Sequence, residues 1–417
     1  MTFSEWKMLP LEECMDAIID YRGKTPRKSN FGIPLITAKI VKGGRILEPT
    51  EFIPFEDYDE RMVRGIPQPG DIVITTEAPL GEVGQLDNRK VSIGQRLITL
   101  RGKKGLIDNN FLKYLLMSDY VQNQLKARET GTTVSGIKQK ELRKIKLPVP
   151  NLQTQIKIAE ILSSLDEKIE LNRQTNIILD AIAQAIFKEW FVDFNFPGAT
   201  GEMVECELGL IPKGWKVGRL GEVCKLFKGV SYKSSELQPS NTALVTLKSI
   251  NRGGGFNSKG FKEYIGDYKR SQSLKEGDLI FAQTDITQNA DVIGSPALVE
   301  NPYGYKKLIA SLDIVKCEPV NEMPSSSTLF YFLQHQEFKD YCLSHTNGST
   351  VLHLRSSEVP NYQLVIPDVN ILKHFNSIIT QTRELLMNNN KQAYVLELIR
   401  EILLPKFMSG EIDLWNG

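Results

Sequence analysis

Residues 131–150 read GTTVSGIKQKELRKIKLPVP, and residues 348–367 read GSTVLHLRSSEVPNYQLVIP. At an offset of 217, Gly131 matches Gly348, Thr133 matches Thr350, Val134 matches Val351, Lys138 matches Arg355, Leu147 matches Leu364 and Pro150 matches Pro367. The same offset pairs Asn172 with Asn389 and Leu179 with Leu396 in the stretch that follows. Self-similarity of this length outranks local signals in deciding a fold. It implies two like modules on one chain, each ending in the same kind of helix.

Residues 152–192 have the pattern of one long helix. Apolar residues recur at Ile158, Leu162, Leu165 and Ile169, then at Leu179, Ala183, Ile186 and Trp190. Steps alternating four and three make a coiled-coil seam, with Asn172 and Asn176 as its polar members. Such a helix is about 60 Å long at about 1.5 Å per residue. The offset carries the seam onto Phe375, Ile379, Thr382, Leu386, Asn389, Ala393, Leu396 and Leu403. Arg400 falls on this second seam, and Pro405 is expected to kink or end the helix. A one-sided apolar seam has to be buried. Antiparallel pairing of the two helices sets the midpoints Asn172 and Asn389 opposite each other with a globular module at each far end. It predicts a mutually hydrogen-bonded asparagine pair; the alternative is two solvent-facing breaks in an imperfect heptad. The run Asp166-Glu167-Lys168 reads as a solvated face, and residues 198–212, after the Pro197-Gly198 stop, read as a linker.

The preceding segments resemble each other as well. IPLITAKIVKGG (33–44) parallels TALVTLKSINRGG (242–254), PGDIVI (69–74) parallels EGDLIF (276–281), and FLKYLL (111–116) parallels LFYFLQ (329–334). Short Val/Ile-rich runs between Gly-Asp and Gly-Gly turns predict strands, and the last pair predicts helices. The predicted fold class is therefore α+β: two similar domains joined by two long antiparallel coiled-coil helices in a pseudo-twofold repeat. The expected boundaries are 1–150 for the first module, 151–197 for the central helix, 198–367 for a linker and the second module, and 368–417 for the C-terminal helix.

Bulk properties exclude several classes. The chain has 417 residues, 41% hydrophobic and 24% charged, which is ordinary globular composition. No apolar run reaches the length of a membrane span, and the N-terminus lacks the apolar core of a secretory signal. Cys14, Cys206, Cys224, Cys317 and Cys342 are odd in number, scattered and without a C-x-x-C pair, so reduced thiols in a cytoplasmic protein are expected. Residues 1–150 hold 24 Lys and Arg against 19 Asp and Glu, residues 151–210 hold 4 against 10, and residues 211–367 hold 18 against 15. Mildly basic modules joined by an acidic helix suit a nucleic-acid reader with protein partners. No phosphate loop occurs, Gly253-Gly254-Gly255 is a flexible turn, and Asn301-Pro302-Tyr303 lacks a proline of the N-P-P-[YF] motif. His335, His345, His353 and His374 lack zinc-hydrolase spacing. No catalytic site and no metal site is expected.

What remains is loop-borne polar and basic chemistry. In the first module the candidate DNA contacts are Arg22, Lys24, Thr25, Arg27 and Lys28 in one basic turn, and Lys39, Lys42 and Arg45 around a second. Thr76 follows a matched strand, Gln95 and Arg96 carry groups that pair bidentately with adenine and guanine, and Thr132, Thr133 and Lys138 lie in the repeated loop. In the second module the candidates are Lys228, Tyr232, Lys233, Lys248 and Arg252, then Gln283, Thr284 and Asp285, then Ser349, Thr350, His353 and Arg355. The basic runs would hold phosphates and position each module.

The whole length resembles the specificity subunit of type I restriction–modification systems. The resemblance is carried by residues 131–172, by DYRGKTPRK (20–28), PKGWKVGRLGEV (212–223) and KFMSGEIDL (406–414). The family block LPVPxLxxQxxIAxxL is met at Leu147, Pro148, Pro150, Leu152, Gln155, Ile158, Ala159 and Leu162; in the second copy Leu372 replaces the glutamine and Asn376 the alanine. The resemblance implies a non-catalytic, sequence-specific DNA-binding subunit with two target-recognition domains, one for each half of an asymmetric bipartite site. The helices would set the gap and dock two modification subunits carrying S-adenosylmethionine, while two restriction subunits would bring ATP and Mg2+ chemistry. Two other classes fit the residues alone: a two-headed coiled-coil scaffold, and an autonomous DNA-binding regulator.

Overall fold

The computed structural model describes residues 6–131, 135–287, 289–321 and 324–412. Two compact units divide the chain, residues 1–169 with 395–417 and residues 170–394.

In the first unit the main sheet is antiparallel, in the order Met15–Asp20, Leu97–Gly102, Ile72–Thr76, Leu80–Gln85. Beside it, Ile33–Ile36 lies between Phe52–Ile53 and a parallel partner, Ser92–Ile93. Helices Asn109–Met117 and Asp119–Ala127 lay Phe111, Leu112 and Leu115 against Ile72, Ile74, Ile98 and Leu100 in one core. Asp108 starts the first helix by accepting from Phe111 N at 3.0 Å. Strand Lys146–Val149, paired with Lys7–Pro10, then delivers the chain into a 40-residue helix, Leu152–Phe191.

The second unit repeats this plan. Its main sheet runs Cys224–Lys228, Ile314–Pro319, Leu279–Ala282, Pro296–Leu298, and Thr242–Val245 again has a parallel partner, Lys307–Ala310. Helices Ser326–Leu333 and Gln336–Ser344 follow, and strand Gln363–Ile366 leads into the helix Val369–Met408. Strands Leu97–Gly102 and Ile314–Pro319, strands Lys146–Val149 and Gln363–Ile366, and both ends of the two long helices stand 217 positions apart. The expected match of FLKYLL to LFYFLQ is out by one residue. Sliding an apolar run by one position keeps it apolar, but the caps Asp108 and Ser325 fix both helix starts, so Tyr114 corresponds to Tyr331.

Within each unit the long helices run antiparallel. In the first, Ile158, Ala159 and Leu162 share a core with Phe407 and Met408, and Asp166 meets Arg400. In the second, contacts descend from Asn172–Gln392 through Asp180–Arg383 to Phe187–Phe375 and Trp190–His374. The seam residues Ile158, Leu162, Ile169, Asn172 and Ala183 are buried, Leu165 and Leu179 are half-buried, and on the second helix Leu386 is buried with Asn389 and Leu396 half-buried.

Four expectations about these segments need correction. Asn172 and Asn389 do not bond amide to amide. Asn172 Nδ2 donates to Gln392 Oε1 at 2.8 Å and to the Asn389 carbonyl at 3.4 Å, while Asn389 Nδ2 donates to Asn176 Oδ1 at 2.8 Å and Asn176 Nδ2 to Asn390 Oδ1 at 2.7 Å. The two helices meet slightly out of step with their midpoints, so each amide finds the residue about one turn away. Asp166 is not on a solvated face: its side chain is 13% exposed and accepts from Lys113 Nζ at 2.8 Å, Tyr114 Oη at 2.8 Å and Arg400 at 2.7 Å. That also explains how the second seam tolerates Arg400. Pro405 does not end its helix, which runs on to Met408 with Ser409 N donating to the Pro405 carbonyl at 3.0 Å. Residues 198–212 are more than a linker, because Met203–Cys206 and Gly209–Pro212 form a hairpin whose Ile211 is buried in one core with Phe191 and Trp215.

The departures of the second copy from the family block also have a structural reason. Gln155 is fully buried; its Oε1 accepts from Asp108 N at 2.9 Å and its Nε2 donates to the Leu106 and Pro150 carbonyls, tying the long helix to the helix cap before it. In the second unit Leu372 cannot do this, and Asn376, one turn further on, accepts from Ser325 Oγ and Thr328 Oγ1 instead. Among the described residues no helix is long and apolar enough to cross a membrane, and the five cysteines are unpaired.

Candidate nucleic-acid interface

Antiparallel order brings the ends of Met15–Asp20 and Ile72–Thr76 beside the starts of Leu80–Gln85 and Leu97–Gly102. The loops leaving that end of the sheet carry residues 21–28, 77–79 and 94–96. The repeated loop joins them through the Glu77–Gly136 bridge and Ile137 N donating to the Thr76 carbonyl at 2.9 Å. Arg22, Thr25, Gln95, Arg96 and Lys138 are thereby brought together.

Their side chains divide by role. Arg22 is a brace: it forks onto Asp20, with its closest contact at 2.7 Å, and donates to the Ile137 carbonyl at 3.1 Å. Gln95 Nε2 donates to Thr25 Oγ1 at 3.2 Å, and exposed Arg96 pairs with Glu77 at 3.0 Å. Lys24, half-buried, and Lys138, exposed, have ammonium groups without a hydrogen bond or ion pair among the described residues. Thr76 has to be withdrawn from the contact set: it is 2% exposed, and its N–H and Oγ1 both donate to the Arg96 carbonyl. Thr132 and Thr133 lie outside the described residues.

The rest of the first set sits nearby on other loops. Arg27 is held by Asp57 and Glu56, and those carboxylates raise its pKa; Lys28 pairs with Glu51 at 2.8 Å, and Lys39 approaches Glu51 at 4.0 Å. Lys42 and Arg45 flank the Gly43-Gly44 turn of a two-residue hairpin. One residue that shapes the basic turn left no trace in the sequence. Buried Arg61 donates to Ser92 Oγ and to the Lys24 and Ile93 carbonyls, which fixes the turn from behind. A lone arginine in a polar stretch reads as exposed, so only the packing reveals it.

The same end of the second sheet gathers Lys228, residues 283–285, Asp313 and the strand Leu352–Leu354, with Thr284 paired to His353. Leu354 N donates to the Gln283 carbonyl at 2.8 Å, as Ile137 N does to Thr76, so Gln283 is the counterpart of Thr76. Gln283, Thr284 and Asp285 are all buried and are withdrawn from the contact set. The strand continues one step further than its sequence suggested. The Gln283 amide turns to the Leu312 carbonyl, and Thr284 Oγ1 donates to Asp313 at 2.9 Å. Asp285 accepts from Thr287 N and Oγ1 and from Val292 N and Ile293 N, at 2.6–2.8 Å. Burial would raise its pKa, but these four donors outweigh that and hold it below the ordinary value. Asp285 thus organises the loop residues 286–287 and 289–293, and Ile286 stands exposed among them.

Lys228, Lys233, Lys248, Ser349, Thr350, His353 and Arg355 are exposed, and exposed Arg252 lies 3.4 Å from Asp291. Tyr232 accepts from Lys262 Nζ at 3.3 Å with that ammonium near its ring, a pair the sequence could not show because the partners come from separate segments. Gly348 explains one repeated glycine: at φ +102°, a Cβ there would lie 2.1 Å from the Val351 carbonyl oxygen. Among the described residues no group of three or more His, Cys, Asp or Glu is placed to hold a metal ion.

Comparison with known proteins accords with this arrangement. The model of the type I restriction modification DNA specificity domain matches twice, at residues 4–180 and 212–395. The chain is 30% identical over 349 residues to the type I restriction enzyme MjaIX specificity subunit of Methanocaldococcus jannaschii, covering 82% of this chain and 78% of that protein. It is 25% identical over 379 residues to the HindI specificity subunit of Haemophilus influenzae, covering 78% and 82%. In structure it is similar to the S subunit of a type I restriction–modification system from M. genitalium, with a TM-score of 0.59 at 16% identity over 97% of this chain and 96% of that one; that likeness is one of fold.

Proposed function

The chain belongs to the type I restriction–modification DNA specificity family, and from that premise we propose that each module reads one half of a split, asymmetric DNA sequence at the loop-bearing end of its main sheet. As a specificity subunit the chain supplies DNA recognition and no chemistry of its own. The observation that carries the reading is that two closely matched scaffolds present different groups at one place. Thr25, Gln95, Arg96 and Lys138 stand there in the first unit, and Lys228, Asp313, His353 and Arg355 in the second. Arginine, glutamine and histidine there can address base edges, and the lysines phosphates. Unequal loops on equal frames favour unequal half-sites.

Partner docking falls to the long helices. Ile178 and Ile182 are exposed in one unit, and Val395 and Ile399, 217 positions on, are exposed in the other. An apolar stripe presented twice suits two copies of one partner, the modification subunit. Two restriction subunits complete the complex. S-adenosylmethionine, ATP and Mg2+ belong to those partners, and the assembly works in the cytoplasm. The decisive experiment replaces residues 1–150 with the corresponding module of a relative and maps N6-methyladenine in a host supplying the modification subunit. One half of the methylated motif changes and the other stays; a change in both halves refutes the reading. A two-headed scaffold would never bind DNA, and an autonomous regulator would bind with full specificity without partners.

A further inference from the structure

The two helix pairings follow the same path but carry opposite charge. In the first unit Asp166 is set against Arg400 at 2.7 Å and Lys113 at 2.8 Å, with all three side chains less than a fifth exposed. The residue 217 positions on from Asp166 is Arg383. It is 12% exposed, lies over the Phe330 ring at 5.2 Å, and is set against Asp180 at 3.8 Å. Ala183 occupies the position equivalent to Arg400, and Glu397 the position equivalent to Asp180. Each native pairing thus sets a carboxylate of one helix against a guanidinium of the other.

We propose that Asp166–Arg400 and Asp180–Arg383 are a pairing code, which makes each half of this chain select the other half and reject a second copy of itself. If two first halves paired along the same path, Asp166 would face Asp180 and Ala183 of the copy, leaving two carboxylates against Lys113 alone. If two second halves paired, Arg383, which already lies near Glu300 of its own half, would be brought against the guanidinium of Arg400 of the copy as well as Glu397. Only the mixed pairing sets a carboxylate directly against a guanidinium of the other half at both sites. Like charges at part-buried positions are costly because little water is there to screen them. The consequence rests on the proposed function: two copies of one half would read a symmetric site, and the code prevents that. The pairing itself needs no DNA, so it can be tested separately.

The test starts from the full chain, with a protease recognition sequence inserted in the exposed stretch after Ala199. The folded protein is cut, and mass-tagged and untagged preparations are mixed and followed by native mass spectrometry. Exchange is expected to produce first-half–second-half pairs, with first-half pairs at least tenfold below the statistical proportion. Asp180→Arg supplies a cation for Asp166 of a copy and a like charge for Arg383, and is expected to raise first-half pairs at least tenfold. Statistical pairing in the cut native chain overturns the proposal without any variant having to fold. So does a cut Asp180→Arg chain whose exchanged pairs remain as selective as the native ones.

Discussion

Removing Asp166 should cost the protein far more than an ordinary charge deletion. Its carboxylate holds Lys113 and Arg400, 10% and 17% exposed, and accepts the Tyr114 hydroxyl. Asp166→Ala would leave two part-buried cations and a buried phenol without their acceptor. Breaking a buried pair from one side costs about 3–5 kcal/mol. For a unit of this size that is a fall of about 10 °C in Tm, since each 1 kcal/mol is worth about 2–4 °C. Replacing the set together with apolar groups (Lys113→Met, Tyr114→Phe, Asp166→Leu, Arg400→Leu) removes the stranded charges and should recover most of the loss. The assay is chemical denaturation of the two variants beside the native chain. A loss under about 1 kcal/mol for Asp166→Ala would put the cluster with exposed ion pairs and refute the reasoning.

The same residue sets a pH dependence whose sign is fixed. Burial pushes the Asp166 carboxyl up, but Lys113 and the hydrogen bonds from Lys113 and Arg400 outweigh it and hold the group below its ordinary value of 3.8. A carboxylate with a depressed pKa in the fold contributes stability that is fully present above the unfolded-state value and is lost as pH falls through the folded one. Native protein should therefore lose stability below about pH 4 more steeply than the four-residue apolar variant. Parallel acid limbs for the two proteins would contradict this.

Other expectations follow from the same contacts. In double-mutant cycles on unfolding, Asn176→Ala with Asn389→Ala and Asn172→Ala with Gln392→Ala should each show coupling of about 0.5–1.5 kcal/mol, because those side chains share hydrogen bonds. Asn172→Ala with Asn389→Ala should be close to additive, and strong coupling there would mean the amides meet after all. Lys138→Ala should weaken DNA binding in the assembled complex and lower the salt slope by about 1 while leaving the recognised motif unchanged; an altered motif would make Lys138 a base reader. Four residues inserted in each long helix, after Asn172 and at the facing position before Asn389, add about 6 Å. The prediction is a wider gap between unchanged half-sites in the methylation map, and an unchanged gap would separate helix length from spacing.

What the sequence revealed and what it hid divide along physical lines. The seam from Ile158 to Trp190 was legible because a helix that buries one face must repeat its apolar residues at a fixed period. Asp166 was not, since its partners come from residue 113 on a different helix and residue 400 near the far end of the chain, and neither is near it in sequence. The hairpin at Met203–Pro212 was missed for a different reason: a turn-rich stretch after a helix stop carries the same residues whether or not it pairs. Among the candidate contacts, exposed positions such as Lys138 and Arg355 were readable from polarity. Thr76, Gln283, Thr284 and Asp285 were misread because a polar side chain at a strand end serves the ladder and the loop as readily as it serves a ligand.

Where the two modules differ in length also bears on function. From the Leu97 and Ile314 strands to the ends of both long helices the offset does not change. This is the part of each module that packs on the helices, through Gln155 in one unit and Asn376 in the other. Before it, the hairpin closed by Gly70 N on the Leu86 carbonyl spans 17 residues, whereas the equivalent closed by Gly277 N on Val299 spans 23. The extra length falls in the loop that Asp285 organises, at the sheet end facing away from those anchoring contacts. Insertions in a surface loop cost little, because loop-closure entropy grows only slowly with length, whereas one residue added at a helix cap would turn the following apolar face by about 100°. A frame that fixes the helix contacts and leaves the hairpin loop free to vary can change what it reads without changing how it assembles. Inserting six glycine and serine residues after Ala78 should therefore leave unfolding of the first unit within about 1 kcal/mol of native while altering only its own half-site. An insertion that disrupted the pairing of the long helices would show that frame and reader are not separable.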